Sequence, residues 1–489
     1  MESPAEQGFS ARVRNAVFWR SGSQIAAQLV MWAATIIVVR LLDPHDYGLF
    51  AMTQVVLVLF NFLNGYSFAS SLIQADSMDE KRIAQVFGLL ILLNAGLAAT
   101  QFVTAPIAAA YFKQPMITDM LRVQTLLYLA TPFIALPSAL LARRLDFRNQ
   151  AKVNMVSAFV AAGTGLGCAL SGLGLWTLVI TPIVMFATRA IGLTIAARLL
   201  VWPSFDFRGA GSILSFGGAL MLCQFFWIIQ SQADIFIAGR QLDPHMLGLY
   251  AEALFLTQIF TAKFVPPLNE VAFPAYAELD KSGGAIGAAF AMSVRMTMFV
   301  AFPLYFGMAA VAEPMVATLF GAKWMEMVPL VRVMALAMPF FAMQIVFSPA
   351  TNALGRPGIY VRTSLAGAII MTAAFLVGAP YGVSGLAAAW VVGTPLMLGI
   401  TVALSRHAIG TGVRALFAAI WPSALSALVM GGLVHLARPM TAGLSPPTAL
   451  AILVALGGAI YLGLSWLLDR DAVSDLYQLV TKRQRQAGA

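Results

Sequence analysis

The chain has 489 residues, of which 60% are hydrophobic and only 10% charged, against about 25% charged in ordinary soluble domains. A soluble fold of this size has no way to bury that much apolar surface, and a transmembrane β-barrel, which alternates polar and apolar residues, would be far less apolar. The composition therefore predicts an all-α polytopic membrane protein, and its net charge of +9 reads as the Lys and Arg excess of cytoplasmic loops, with no nucleic-acid partner expected.

Residues 1–16 are polar, and Arg20 lies just inside the first apolar run, Val17–Val39. That run is too long for a signal-peptide core and no small-residue cleavage site follows it, so it reads as an uncleaved first helix with a cytoplasmic N-terminus. Further helices are predicted over about 49–73, 84–112, 119–142, 151–175, 176–199, 211–239, 246–273, 285–312, 327–350, 358–378, 384–404, 412–436 and 446–468. The short turn Ser171–Trp176 separates the fifth from the sixth. About fourteen helices, an even number, put both termini on one side. About twenty of the 30 Lys and Arg then face the cytoplasm, among them Arg143, Arg144, Arg148 and Lys152 in one loop and Arg470, Lys482, Arg483 and Arg485 in the tail. Arg40, Lys113, Arg122, Arg240, Lys323, Arg332 and Arg438 lie outside, and Arg189, Lys263 and Arg295 fall within helices. This asymmetry satisfies the positive-inside rule.

The loops are too short for a soluble domain, and no Gly-x-x-x-x-Gly-Lys-Ser/Thr phosphate loop is present. An ATP-driven pump and catalysis on a globular domain are thereby disfavoured. Cys168 and Cys223 sit in apolar segments as buried thiols, and His45, His245, His407 and His435 have no metal-ligand spacing. No metal site, cofactor or disulfide framework is expected.

An internal repeat is the most informative feature. Arg40–Ala51 reads R-L-L-D-P-H-D-Y-G-L-F-A and Arg240–Ala251 reads R-Q-L-D-P-H-M-L-G-L-Y-A, with eight of twelve positions identical at a shift of 200 residues. Weaker echoes pair Pro106 and Phe112 with Pro314 and Phe320, Arg122 with Arg332, and Pro132 with Pro339. The repeat indicates duplication. Six helices separate the copies, so both run in the same direction, as parallel repeats about an axis along the membrane normal. The expected organisation is an N-lobe of helices 1–6 (residues 1–210), a C-lobe of helices 7–12 (211–405), and helices 13–14 with a basic cytoplasmic tail (406–489). In the repeated turn, Asp43 and Asp243 are N-cap candidates and Pro44 and Pro244 take the first helical position. A structural turn is the plain reading; a role in gating is the alternative.

Several stretches carry a resemblance to a family. They are the turn after the first helix, Ser71–Phe87 (S-L-I-Q-A-D-S-M-D-E-K-R-I-A-Q-V-F), Leu121–Phe147, Gln232–Tyr250 (Q-A-D-I-F-I-A-G-R-Q-L-D-P-H-M-L-G-L-Y) and Leu319–Val333. In order and spacing the chain resembles the polysaccharide transporters, or Wzx-type oligosaccharide flippases, of the multidrug/oligosaccharidyl-lipid/polysaccharide exporter superfamily. The resemblance implies two six-helix lobes plus two helices, a MATE-like fold in a bacterial inner membrane. It also implies movement of undecaprenyl-pyrophosphate-linked oligosaccharide to the periplasmic leaflet for exopolysaccharide, lipopolysaccharide or capsule synthesis. The implied partners are the lipid-linked sugar, the bilayer, and a polysaccharide polymerase with its chain-length machinery. The family supplies no catalytic motif, so no enzyme is expected.

Site candidates come from the ionisable groups within helices, which are costly in a membrane and usually face a cavity. A pyrophosphate needs fixed cations, and Arg189, Lys263 and Arg295, with Arg20 shallower, are the candidates; a structural ion pair or snorkelling is the alternative for each. Asp234, about 9 Å from Arg240 along its helix, and Glu270 are candidates for H⁺ or Na⁺ coupling, with charge balance as the competing role. Glu252 is a further carboxylate on the eighth helix. Trp19, Trp32, Tyr66 and Trp227 are candidates for stacking on sugar rings, or for packing. Pro266 and Pro267 would kink the eighth helix, as a hinge or as a static bend. The competing functions are a cation-coupled multidrug exporter and a lipid II flippase of the same superfamily. A membrane glycosyltransferase or ligase would need paired carboxylates or a large external loop, which the sequence does not offer.

Overall fold

The computed structural model describes residues 27–28, 30–65, 80–144, 146–199, 201–206, 218–284 and 286–470, with backbone alone for 218–224 and 357. Trp19, Arg20 and Tyr66 lie outside the described residues. Within them every regular element is helical, and nine stretches are long and apolar enough to cross a membrane. One of these, Gly358–Ile409, is two successive helices. The chain divides into two compact units, Met1–Gln224 and Phe225–Ala489.

The first unit holds α1 (Val30–Leu41), α2 (Pro44–Phe62), α3 (Glu80–Phe112), α4 (Met116–Arg143), α5 (Phe147–Leu170) and α6 (Leu175–Ala197). Asp43 takes extended backbone at the N-cap of α2 and Pro44 its first helical position, where the missing amide costs nothing. α4 is interrupted at Thr125 and Thr131. Both hydroxyls bond back to the preceding turn, Thr125 Oγ1 to the Arg122 carbonyl at 2.6 Å and Thr131 Oγ1 to that of Leu127 at 2.9 Å, which loosens the helix there. The short turn between α5 and α6 forms as predicted. It relies on Gly172 (φ +75°) and Gly174 (φ +49°), a region open to glycine without penalty.

Apolar packing on α3 centres on Val86, Phe87 and Leu90 against Leu136 and Leu140 of α4. Farther along α3 and α4, near the separate cluster of Leu57, Leu97, Leu127 and Tyr128, polar side chains are buried with hydrogen-bond partners on neighbouring helices. Tyr128 Oη donates to Gln101 Oε1 at 2.8 Å, Gln101 Nε2 to the Leu121 carbonyl at 2.8 Å, and Gln124 Nε2 to Thr53 Oγ1 at 3.3 Å. Each pair ties two helices in a setting where unpaired polar atoms are expensive. After α6 the chain runs back along α3, with Ser204 N donating to the Ala84 carbonyl at 2.9 Å. A Cβ on Gly88 would lie 2.1 Å from the Ser204 carbonyl oxygen, so only glycine admits this return.

The second unit begins within α7 (Gly218–Gln241) and continues through α8 (Pro244–Lys263), α9 (Val265–Lys281), α10 (Ile286–Ala310), α11 (Ala312–Leu319), a 3₁₀ turn (Ala322–Met327), α12 (Val328–Ile345), α13 (Phe347–Ala353), α14 (Pro357–Gly378), α15 (Gly382–Ile409), α16 (Val413–Ala437) and α17 (Pro446–Leu468). The single helix expected over 246–273 is instead two, α8 and α9, parted at Phe264. Pro266 and Pro267 lack the amides that would reach the carbonyls of Ala262 and Lys263, so the ladder stops and a new helix starts. The helix expected over 327–350 is likewise parted at Val346.

The last two helices are built into this unit. α16 packs along α10, and α17 packs on α16 and α11. Gly431 sits against the Phe306 carbonyl oxygen, where a Cβ would lie at 3.3 Å, and Tyr461 Oη donates to the Phe299 carbonyl at 2.7 Å. At one end of the hairpin Arg438 pairs with Glu313, which Arg332 also approaches at 3.4 Å. At the other end Arg295 pairs with Asp469, the residue that follows α17.

Candidate functional site

The most developed polar site in the second unit joins α7, α8 and α15. Asp234 on α7 and Tyr250 on α8 are both 0% exposed, and Trp390 on α15 is 1% exposed. Tyr250 Oη donates to Asp234 Oδ2 at 2.8 Å and accepts from Trp390 Nε1 at 2.9 Å. Asp234 Oδ1 accepts the Ile235 amide at 2.7 Å. An indole N–H only donates, and the phenol passes its one hydrogen on to Asp234. Asp234 accepts at both oxygens. Among the described residues it forms no ion pair with Lys, Arg or His. A buried carboxylate bonded only by neutral donors is a strong attractor for a small cation.

The surroundings hold this chain rigid. One turn before Asp234 on α7, Gln230 is 2% exposed, with neither amide heteroatom hydrogen-bonded among the described residues. Its Oε1 sits where a Cβ on Gly367 of α14 would come within 2.2 Å, so glycine lets the two helices close. Trp227 stacks on Phe341 of α12 with centroids 6.0 Å apart and planes at 16°, and Phe341 meets Trp390 edge-on at 5.6 Å. Thr394, one turn after Trp390, ties α15 to α12 through the Ala337 carbonyl at 3.2 Å. Among the described residues no three His, Cys, Asp or Glu gather in a metal-binding group.

The other predicted residues are scattered. Arg189 lies half-buried on α6 of the first unit, and its Nε is buried with no hydrogen-bond partner. Trp32 is half-buried on α1. Lys263 ends α8 in an exposed position, and Pro266, Pro267 and Glu270 are exposed on the opening turns of α9. Lys263 and Glu270, both within the single helix expected over 246–273, stand on two. Arg295 is bound to Asp469 through Nη2 and, at 3.3 Å, through Nε. Asp243 caps α8 by accepting the Met246 amide at 3.1 Å, with Pro244 at the first helical position. Trp227 packs against Phe341 inside its own unit.

Sequence reasoning singled out Asp234 but missed Tyr250, Trp390 and Asp469. A signal for the first was present in the repeat. At the shift of 200 residues Asp234 stands opposite Ala34, and Tyr250 opposite Phe50. The second copy therefore carries a carboxylate and a hydroxyl that the first lacks at those positions, and the structure bonds them to each other. Trp390 lies 140 residues further on, and no local pattern marks it.

Comparison with known proteins agrees with this architecture. A family model described as "Polysaccharide biosynthesis protein" matches residues 37–329. The succinoglycan biosynthesis transport protein ExoT of Rhizobium meliloti (strain 1021) is 24% identical over 455 residues, covering 92% of each chain. Among solved structures, the inward closed conformation of the lipid II flippase MurJ superposes with a TM-score of 0.76 over 93% of this chain and 99% of that one, at 12% identity. An inward-facing multidrug resistance MATE family transporter of the MOP superfamily superposes with a TM-score of 0.62 over 81% and 98%, at 14% identity. At such identities the two superpositions speak for the fold alone. Spanning more than half of the chain, the family match establishes that this multi-pass membrane protein belongs to the polysaccharide biosynthesis protein family.

Proposed function

We propose that the protein moves a polyprenyl-pyrophosphate-linked oligosaccharide from the cytoplasmic to the outer leaflet of the bacterial inner membrane by alternating access, with both termini in the cytoplasm. The single observation that carries this reading is the match to a named polysaccharide transport protein along 92% of both chains. The pyrophosphate requires fixed cations in a low-dielectric path. Arg189 suits that role: it sits within a membrane helix, and its guanidinium retains a buried N–H with no hydrogen-bond partner. Lys263, exposed at the α8–α9 break, supplies a second cation on a long flexible stem. Arg295 is engaged by Asp469 in this conformation, so the set rests on Arg189 and Lys263.

Coupling falls to Asp234. A proton or Na⁺ binding there replaces the Tyr250 hydroxyl as the partner of the carboxylate. That exchange alters the tie between α7, α8 and α15, and the α8–α9 break at Phe264 lets the altered packing become a change of helix angle. The multidrug-exporter and lipid II alternatives draw support only from structural likeness at 14% and 12% identity. The test is polymer export in cells whose own copy is deleted. Arg189→Ala and Lys263→Ala together are expected to abolish export at unchanged membrane abundance, and Asp234→Asn to remove its dependence on the ion gradient. Normal export by the double variant would refute the phosphate role.

A further inference from the structure

One turn before Asp234 on α7, the buried carboxamide of Gln230 bonds nothing among the described residues, at Oε1 or at Nε2. Inside a membrane helix such a group is expensive unless a partner reaches it in some state of the protein. Residues four apart on a helix have Cβ atoms about 5–6 Å from each other, and a Gln and an Asp at that spacing bond across one turn. The helix also tilts the Asp234 side chain back toward the Gln230 turn. Of the residues three and four positions from Gln230, which are Phe226, Trp227, Ala233 and Asp234, only Asp234 carries a hydrogen-bond acceptor on its side chain. On the other side α14 closes the space: the Gln230 carboxamide fills the place of a Cβ on Gly367, with Met397 Sδ of α15 at the same point.

An ionised Asp234 only accepts, and the Tyr250 hydroxyl and the Ile235 amide suit that state. A proton taken from the aqueous phase turns one carboxylate oxygen into a hydroxyl, which needs an acceptor. Tyr250 can supply it only by turning its own hydrogen away from Asp234, its one acceptor among the described residues, while Trp390 Nε1 continues to donate to it. Gln230 Oε1 is an unoccupied acceptor one turn away, and Gln230 Nε2 is a donor for the other oxygen of the acid. A Na⁺ ion finds no such match: it needs a shell of oxygens, whereas Ile235 and Trp390 bring N–H groups to the site. The charged groups of the packed helices stand apart from the pair. Arg240 is about 9 Å further along α7, and Glu252 lies about 200° round α8 from a position two residues earlier, that of Tyr250. His245 at the start of α8 meets Glu326, and Arg332 of α12 meets Glu313. Lys263 ends α8 in an exposed position. Arg362 of α14 precedes Gly367 by about 7 Å of helix, and Arg406 and His407 of α15 follow Trp390 by about 24 Å or more.

We propose that Gln230 is the second partner of Asp234 and that the two form a two-position proton switch. Ionised, the carboxylate is held by Tyr250 of α8; protonated, it donates to Gln230 Oε1 and accepts from Gln230 Nε2 on its own helix. The new O–H is the only covalent bond formed, and none is broken. Loading the proton thus moves the bonds of Asp234 from α8 to α7 and unties the two helices, while Tyr250 keeps Trp390. The inference rests on the coupling role given to Asp234 above and narrows its ion to a proton.

The test is an infrared pH titration of the full-length protein in lipid nanodiscs, following the protonated-carboxyl C=O band that is lost in Asp234→Asn. Gln230→Met keeps the length of the side chain and removes both hydrogen-bonding atoms. It should move the band to higher frequency and lower its midpoint by about one pH unit, a tenfold loss of proton affinity. A more apolar neighbour by itself raises the midpoint of an acid, so a fall belongs to the lost bonds. Tyr250→Phe removes the donor to the ionised form and should raise the midpoint by a similar amount. Replacing Na⁺ by N-methylglucamine should leave the wild-type midpoint in place. Four results would each overturn the proposal: no Asp234 band in the wild type, a midpoint in Gln230→Met at or above that of the wild type, a lowered midpoint in Tyr250→Phe, or a wild-type midpoint that falls as Na⁺ is added. The titration involves no transport, so failure of the switch is read separately from failure of the coupling role, which export under an altered gradient reports.

Discussion

Replacing Tyr250 with Phe removes one oxygen and leaves the ring in place. The lost hydroxyl bonds Asp234 at 2.8 Å and receives Trp390 Nε1 at 2.9 Å, so a carboxylate oxygen and an indole N–H lose a partner together. In a soluble core, a hydrogen bond to a charged group contributes about 1.5–3 kcal/mol and a neutral one about 0.5–1.5. Inside a bilayer the measured terms are smaller, about 0.6 kcal/mol on average and up to about 1.7, because the unfolded chain finds other partners in the membrane. Here all three residues are at most 1% exposed, so no water replaces the hydroxyl and the upper end applies. Tyr250→Phe is therefore expected to cost about 1.5–2.5 kcal/mol, read by reversible unfolding in bicelles. A double-mutant cycle with Asp234→Ala should return a coupling of at least about 1 kcal/mol, since one bond serves both residues. A Tyr250→Phe protein within about 0.3 kcal/mol of wild type, or strict additivity in the cycle, would show that the network is not a tied unit.

Three further outcomes are expected. Asp469→Ala strands Arg295 and should lower stability by about 1–3 kcal/mol, less than a fully buried pair because the Arg295 side chain is 20% exposed; the exchange Arg295→Asp with Asp469→Arg, followed by thermal unfolding, should restore at least half of that loss. A Cβ at Gly378 of α14 would meet the Gly385 carbonyl oxygen at 2.4 Å, whereas a Cβ at Gly96 of α3 meets nothing within 4 Å. Gly378→Ala should thus destabilise by about 1–3 kcal/mol and Gly96→Ala stabilise by about 0.5–1, a contrast visible in melting temperatures. Restoring the two amides with Pro266→Ala and Pro267→Ala should join α8 to α9 as one helix and slow transport several-fold at unchanged or higher melting temperature. Full transport by that variant would remove the hinge from the mechanism.

Helix positions were legible in the sequence because a membrane segment is written as a continuous apolar run, and the turns between runs carry their own signals. The pair Asp43–Pro44 and its repeat Asp243–Pro244 mark the starts of α2 and α8. The glycines after Ser171 mark a turn that only positive φ permits. The interruptions inside apolar runs were less legible, since hydropathy does not fall where Pro266 or Thr131 breaks the ladder. Tertiary partners were harder still. Arg295 reads as an isolated membrane cation because Asp469 lies 174 positions away, beyond the end of a helix and next to a basic tail. Asp234 reads as a lone carboxylate until Tyr250 and Trp390 are folded against it. Such bonds depend on which helices become neighbours, and a one-dimensional pattern of charge does not record that.

The central claim is tested most directly by reconstituting the purified protein in vesicles holding a fluorescent polyprenyl-pyrophosphate oligosaccharide in the inner leaflet and following its exposure to an impermeant quencher. The account predicts quenching that requires the protein, is driven by a proton or Na⁺ gradient, no longer depends on that gradient in Asp234→Asn, and is lost in the Arg189→Ala, Lys263→Ala double variant. Unchanged leaflet asymmetry in the presence of the active wild-type protein, together with gradient-driven movement of a cationic dye, would contradict it.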